Sequence, residues 1–530
     1  MRRLLIESLE LRALPSVSPL GDVFPVNQFT AGSQRTWPES PQAVAADAEG
    51  NFIATWTSAG QAGAEAVYMR RFWASGEPRE SEIRVNEPLG KARYSSVAVG
   101  AGGEAVIVWT AYEHLDGSGQ GVFGRYFDPG GQPSGGVFQV NQTEAYHQRT
   151  PAVAFTADGE FVVTWADLLG DDDFNGIKAR RFFGDGVPLS DEFLVNSTTV
   201  GNQFDPVVSS SVLGESFYVA WTDDRAGRSE IRAQHFSAEG AQMGDEFLVS
   251  ETADAMNRWP RIATAADGSL LATWSVESAA GGGWDVVVRR FSVQGVPLSA
   301  PAQVNTTTTG DQRFSALTVD SDGNALIAWM DNSVGATSPQ VVLREVANTG
   351  VPFGAEIHSP LWSAADQTAP ALGLGPLGQA TLIWTAEGRD GSSKGVFGQS
   401  VAYLAMQVTG DTNFDGQVDL ADLNNVRNHF GETGNVLGDA NRDGAVDLAD
   451  LNAVRNNLGV ANSNRQGIAD RPALADRAFQ AMEIEFAGTV GVNASTVLDQ
   501  RTASLSAVDQ VFNSMICEEL ATTKRNRRSR

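Results

Sequence analysis

Short apolar runs separated by turn residues recur along most of this chain. Residues 151 to 196 show the unit whole: Pro151-Ala-Val-Ala-Phe155, a turn at Asp158-Gly159, Phe161-Val-Val-Thr-Trp165, a polar loop, the run Ile177 to Phe182, a second turn at Gly184 to Pro188 and a last run ending Val195-Asn196. A Trp stands at the same place in seven copies (Trp56, Trp109, Trp165, Trp221, Trp274, Trp329, Trp384), at spacings of 53, 56, 56, 53, 55 and 55 residues. So regular a period marks a repeat architecture. Six copies carry a Gly six residues before the Trp (Gly50, Gly103, Gly159, Gly268, Gly323, Gly378), as the tight turn of a hairpin requires.

Runs such as Ala105 to Trp109 and Phe161 to Trp165 are largely apolar rather than alternating, so both faces of these strands should be covered. Each unit reads as four short strands, and radial stacking of four-stranded sheets covers both faces while leaving few bare edges. The pattern predicts a mainly β fold, a seven-bladed β-propeller over residues 23 to 408. The units end in Val-Asn at Val26-Asn27, Val85-Asn86, Val140-Asn141, Val195-Asn196 and Val304-Asn305, with Val249-Ser250 and Ile357-His358 as variants. One such run precedes the first Trp, and none follows Trp384. Residues 23 to 27 are therefore expected to complete the last blade and close the ring.

Strand alternation sorts the loops by face. One face receives short turns such as Asp158-Gly159; the other receives long polar loops, including Tyr112 to Gly121, Leu168 to Gly176, Val276 to Trp284 and Asp331 to Pro339. Binding concentrates on such loops. Three features of that face have both a functional and a structural reading. Gln148, Gln203, Asn257, Gln312 and Gln367 recur just before a first strand, as a ring of ligand donors or as one hydrogen bond repeated with the unit, and the recurrence favours the second. Asp171-x-Asp173-x-Asn175-Gly176 matches half a calcium loop, but Ala179 and Phe182 occupy the ninth and twelfth positions, which points to a hydrated hairpin. The repeated Trp residues offer faces for sugar stacking, yet one per unit at the end of a buried strand is what packing between blades demands.

Composition narrows the partners. A net charge of -26 argues against nucleic acid or an anionic membrane surface. Cys517 is the sole cysteine, so no intrachain disulfide forms. No apolar stretch is long enough to span a membrane, and Leu4-Leu5-Ile6 is too short for the apolar region of a standard signal peptide. No catalytic constellation is legible, and the five histidines (His114, His147, His235, His358, His429) fall in dissimilar positions.

The densest chemical signal lies at residues 411 to 459. Asp411, Asn413, Asp415, Asp419 and Asp422 place oxygen ligands at positions 1, 3, 5, 9 and 12 of a loop, with Gln417 offering its backbone carbonyl at position 7 and Gly416 allowing the sharp turn. The pattern recurs 28 residues later as Asp439, Asn441, Asp443, Ala445 (carbonyl), Asp447 and Asp450. Each loop runs into a near-identical helix, and Leu420, Leu423, Val426 and Phe430 match Leu448, Leu451, Val454 and Leu458 as one apolar face on each. These faces should pack on each other around two bound calcium ions. A calcium-stiffened spacer is the plainer reading.

The duplicated loop-helix, with Asp at position 12, resembles a type I dockerin, the calcium-dependent module that plugs into cohesin domains of extracellular scaffolds. The resemblance covers residues 411 to 459 and implies a cohesin-like protein partner, contacted through Leu420, Ala421 and Arg427 and through Leu448, Ala449 and Arg455. Leu-Ala stands where the family often has a hydroxyl-bearing pair. Ile6 to Leu14 is similar to a Leu-Glu-x-Arg motif of exported bacterial surface proteins, so residues 1 to 22 are expected to be an export-type or disordered N-terminus and the location extracellular or cell-surface. Residues 460 to 530 carry helical patterning and a basic tail, Lys524 to Arg530. The expected function is a non-catalytic recognition or scaffold protein with a calcium-dependent docking module. The alternative is a polysaccharide-degrading glycoside hydrolase with its active site on the loop-rich face.

Overall fold

The computed structural model describes residues 17 to 458 apart from short internal segments. The chain divides into two compact units, Met1–Ala405 and Met406–Arg530. Expectations for Ile6 to Leu14 and for residues 460 to 530 lie outside the described residues.

The first unit is mainly β, built from antiparallel sheets of four strands. Five such sheets stand separately, and two further sets are joined into a nine-stranded sheet through Ser33–Arg35, whose Ser33 pairs in parallel with Lys394. The inner strands are Val44–Ala46, Ala92–Val99, Gln148–Phe155, Gln203–Ser210, Asn257–Thr264, Gly310–Val319 and Gln367–Leu374. They form a closed cycle, each touching the next and the last touching the first. Small and apolar residues from all of them, Ala98, Ala154, Ile262 and Gly373 among them, line a central cavity of about 300 Å³.

The apolar runs explain the stacking. Ile53, Val67 and Met69 of one sheet pack on Val97, Ile107 and Trp109 of the next, and Val106 and Val108 on that sheet's other side pack on Val153, Phe161 and Trp165. All seven repeated Trp residues are at most 2% exposed, so they are packing residues and not a sugar platform. Two polar devices repeat with the sheets. The Asn of each Val-Asn accepts from a third-strand N–H, as in Ile177 N to Asn196 Oδ1 at 2.7 Å and Val286 N to Asn305 Oδ1 at 2.7 Å, and Ser250 does the same for Ile231. Arg70, Arg125, Arg180, Arg289 and Arg344 each donate to the carbonyl of the Val ending the preceding sheet, at 2.6 to 3.4 Å. These arginines tie neighbouring sheets together while satisfying carbonyls at the sheet edges.

The N-terminal strand closes the cycle, and it is longer than expected. Val17–Pro25 pairs antiparallel with Lys394–Tyr403, so residues 17 to 22 belong to the sheet and not to a separate leader. Val26 N donates to Val396 O at 2.9 Å, Val396 N donates to Asn27 Oδ1 at 2.6 Å, and Phe24 packs against Phe52 and Phe72.

The second unit holds two helices, α1 (Leu420–Asn428) and α2 (Leu448–Asn457). Leu423, Val426, Leu451 and Val454 are buried in one core with Val418, Val446 and Ala440, as the matching apolar faces predict. Leu448 departs from the expectation: at 56% exposure it lies outside that core, whereas its counterpart Leu420 packs against it. Two glycines permit the close packing. Gly410, at φ +102, lies against the backbone of Ala453 and Val454, and Gly438, at φ +105, lies against Asn425 and Val426 in the reciprocal way. A Cβ at either would collide with the facing helix.

Candidate active site at the channel mouth

On the loop-rich face, the central opening widens into a cavity of about 480 Å³ lined by Glu39, Tyr94, Tyr112, Arg149, Asp205 and Arg258, among others. What builds it is a bulge near the start of six of the seven inner strands. The register breaks between Arg93 and Ser96, Arg149 and Ala152, Phe204 and Val207, Arg258 and Arg261, Arg313 and Ala316, and Thr368 and Ala371. At each break one non-glycine residue takes the left-handed conformation: Tyr94, Thr150, Asp205, Trp259, Phe314 and Ala369, all at φ between 51 and 56. A non-glycine residue held there costs about 1 kcal/mol or more, and six at equivalent positions are backbone strain gathered at one place. Functional sites are where such strain concentrates.

The seventh position differs. After Arg35 the chain makes a longer excursion before its inner strand, and this segment carries Glu39 to the mouth. It is pinned from several sides. Thr36 N donates to Thr385 Oγ1 at 2.9 Å, Thr36 Oγ1 donates to Ala369 O at 2.9 Å, and Trp37 Nε1 donates to Thr57 Oγ1 at 2.9 Å. From across the ring, Arg261 Nη2 donates to Pro38 O at 2.7 Å and to Ser40 O at 3.4 Å, so its buried guanidinium holds the carbonyls on both sides of Glu39.

The carboxylates of Glu39, Asp205 and Asp224 line the mouth, and burial perturbs that of Asp205. Burial pushes the Asp205 carboxyl up to about 6; Arg261 pulls it down, and Glu39 adds to the upward push. The exposure that Asp205 retains is to the cavity, which is why a half-buried group behaves as a desolvated one. Burial likewise lowers Arg261 to about 10, opposed by Asp205 and Glu39, so it remains a cation at neutral pH. Glu39 Oε2 is buried without a hydrogen-bond partner among the described residues. Tyr112 is pushed up to about 12 by burial and by Tyr94, so its phenol keeps a proton to donate. Aromatic rings surround the group: Trp37 lies 5.1 Å from Tyr94, and Trp259 lies 4.5 Å from Phe314 and 5.0 Å from Trp284.

Sequence spacing hides this pair, since Glu39 and Asp205 come from distant units and meet only when the ring closes. The signal was present as a departure from the repeat: Asp205 is the one acid at a position otherwise held by Tyr, Thr, Trp, Phe or Ala, and Glu39 lies in an atypically long connection. The recurring Gln and Asn are buried structural groups. Gln148 donates to Ala145 O at 2.7 Å and to Asp167 Oδ1 at 3.1 Å, and Asn257 Oδ1 accepts from Trp274 Nε1 at 2.9 Å. Asp171 likewise serves the frame, accepting from Asn196 Nδ2 at 3.0 Å.

In the second unit, the structure describes four of the expected calcium ligands, Asp419, Asp422, Asp447 and Asp450. Asp411, Asn413, Asp415, Gln417, Asp439, Asn441, Asp443 and Ala445 lie outside the described residues. The described four form two matching capping boxes. Asp419 Oδ1 accepts from Ala421 N at 2.7 Å while Asp419 N donates to Asp422 Oδ2 at 2.8 Å, and Asp447 and Asp450 repeat this at 2.6 and 2.7 Å. Asp422 and Asp450 are fully buried, and an all-oxygen set with a buried carboxylate at position 12 fits a hard divalent cation. Of the expected partner contacts, Ala421, Leu448, Ala449 and Arg455 are exposed, whereas Leu420 and Arg427 are half-buried, Leu420 against the core.

No family model matches the chain, and no curated protein matches it. Among solved structures it is similar to a polysaccharide lyase, an ulvan lyase bound to -[GlcA(1-4)Rha3S]-, at 9% identity over 72% of this chain and 96% of that one, with a TM-score of 0.48. It is also similar to a protein of unknown function from Dyadobacter fermentans (10% identity, 59% and 94% covered, TM-score 0.43) and to an alpha-L-arabinofuranosidase from Fusarium graminearum (13% identity, 59% and 93% covered, TM-score 0.40). With each of these TM-scores below 0.5, function is read from the site itself.

Proposed function

We propose that the chain is a glycan-cleaving protein: a seven-bladed β-propeller with its active site at the mouth, carrying a calcium-dependent docking module of dockerin type. The observation that carries this reading is the placement of Glu39 and Asp205 in one cavity, with Asp205 raised to about 6. A carboxyl group whose proton is retained through burial, beside a second carboxylate, is the means of hydrolysing a glycosidic bond. Asp205 keeps its proton up to about pH 6 and gives it to the leaving glycosidic oxygen. Glu39, its Oε2 without a partner, takes a proton from the attacking water; the C–O bond breaks, and the products are a new reducing end and a new hydroxyl. Arg261 positions Glu39 through Pro38 and Ser40. The aromatic rings of the mouth offer faces for sugar rings.

The non-catalytic reading expected from sequence rested on the lack of a catalytic constellation, and the carboxylate pair removes that ground. For the second unit we propose two calcium ions held by the ligand sets above, a cohesin-like partner met through the exposed Leu448, Ala449 and Arg455, and an extracellular or cell-surface location in a bacterium. No described helix is long and apolar enough to cross a membrane. The test is to incubate the full chain with a panel of polysaccharides and follow new reducing ends. Cleavage that falls about 100-fold or more in both Asp205→Asn and Glu39→Gln supports the reading; cleavage undiminished in both variants, or none on any polymer, contradicts it.

A further inference from the structure

We infer that the mouth takes an anionic glycan, one bearing carboxylate or sulfate groups. This rests on the glycan reading above and adds the chemistry of the chain. Five arginines, Arg35, Arg93, Arg149, Arg258 and Arg313, stand at the same register. Each pairs with the residue immediately after a repeated Trp: Thr57, Thr110, Ala166, Ser275 and Met330 in turn. They therefore stand at one level around the opening, each next to the excursion or bulge that shapes it.

Their charge is incompletely neutralised. Arg35 and Arg93 share the single carboxylate of Glu65, which Lys91 also contacts. Arg313 has Asp311 at 3.5 Å. Arg149 is exposed, and among the described residues neither it nor Arg258 makes an ion pair. Glu39, Asp205 and Asp224 line the cavity with Arg149 and Arg258, so what sets the opening apart in a chain of net charge -26 is the set of five arginines at one level around it. Such a ring of guanidinium groups offers an anion several points of contact in a body that otherwise repels it.

The arginines are also held ready. Arg35 lies over Trp37 at 3.9 Å, Arg258 over Phe204 at 5.4 Å and Arg313 over Phe314 at 5.1 Å. Stacking holds a guanidinium by its face and leaves its N–H edge for a ligand, and Nε of both Arg258 and Arg313 is buried without a partner. A planar N–H fork matches a carboxylate or a sulfate through paired hydrogen bonds. Alternating aromatic faces and guanidinium edges suit a polymer of sugar rings with acidic substituents.

The test is calorimetric titration of the full chain, in calcium, with polygalacturonate, dextran sulfate, unsubstituted dextran and polyglutamate. Polygalacturonate or dextran sulfate should bind, the tighter of the two reporting which anion is preferred. Affinity should fall about tenfold or more when salt rises from about 50 to 500 mM. Arg149→Ala combined with Arg258→Ala should weaken binding about tenfold with an unchanged circular dichroism spectrum, and undiminished binding in that variant overturns the inference. Dextran bound as tightly as the charged polymers, without salt dependence, overturns it while leaving the glycan reading intact. Polyglutamate bound as tightly as polygalacturonate leaves an anion site but sinks the glycan reading. Failure of every polymer to bind overturns both.

Discussion

The two units of this chain are both built by repetition, yet they reach stability by different routes. In the ring, each repeated Trp is buried between neighbouring sheets, and each sheet borrows its core from the next. In the helix pair, a core of seven buried side chains, Ala440 among them, must order two helices and two acidic loops. The ring buries apolar side chains at each junction between sheets. The helix pair encloses far less, and calcium is proposed to supply the remainder of its stability. Repetition in a sequence therefore announces a fold only when joined to a count of what the copies can bury.

The largest effect expected is at the ring's seam. Removing residues 1 to 30 takes away the closing strand, the packing of Phe24 on Phe52 and Phe72, and the bond from Val396 N to Asn27. The loss should exceed about 5 kcal/mol, since truncating one buried Phe alone costs 3 to 5. A scanning thermal melt of the truncated chain reads it, and an unshifted transition for the ring would mean that the seam does not carry the closure.

Next in size is the helix pair. Calcium in about 100-fold excess over its dissociation constant stabilises by roughly 2.7 kcal/mol per site, so chelation should unfold α1 and α2 together and leave the ring folded. Hydrogen exchange at Leu423 and Leu451 is the measurement. Asp411→Ala with Asp439→Ala should give the same loss in the presence of calcium, and full protection without metal would show that the small core suffices.

How far each region was legible in the sequence follows from the same contrast. The frame could be read because packing repeats: Val-Asn recurs because each third strand has an N–H that the Asn carbonyl satisfies, and the buried Gln recurs for a similar reason. The proposed calcium loops stand out in the sequence because coordination would impose a spacing on the chain. The mouth could not, because it consists of departures from the period. Glu39 arrives on an irregular connection, Asp205 replaces aromatic or neutral residues at a strained position, and Arg261 reaches across the ring to residues far away in sequence. Leu448 shows the limit of the helical pattern, since it shares its place in the stripe with Leu420 without sharing that residue's packing.

Within the ring, the mouth should behave unlike the frame. Arg261→Ala removes the bonds to Pro38 and Ser40 and leaves Asp205 and Glu39 without their buried cation, at a cost of about 3 kcal/mol. It should also raise the pH at which Asp205 loses its proton, moving the alkaline limb of any cleavage profile upward. Arg261→Lys should restore part of the stability. A profile that does not move would separate Arg261 from the carboxylates.

The smallest effect has the opposite sign. Asp205 is pushed from 3.8 to about 6, so the folded chain keeps this proton to higher pH than the unfolded chain does. The stability this group contributes is complete below about pH 4, declines as pH rises toward 6 and stays lowered above it. Asp205→Asn, neutral at every pH, should match the native protein at pH 3.5 and exceed it at pH 7.5 by on the order of 2 kcal/mol. The most direct measurement of the mouth's character is therefore the melting temperature of the two proteins from pH 3.5 to 8, which requires no knowledge of the glycan. A difference that opens between about pH 4 and 6 in favour of Asp205→Asn is the result expected of an acid strained for catalysis; a constant difference, or a less stable variant at neutral pH, would show that Asp205 is an ordinary structural carboxylate.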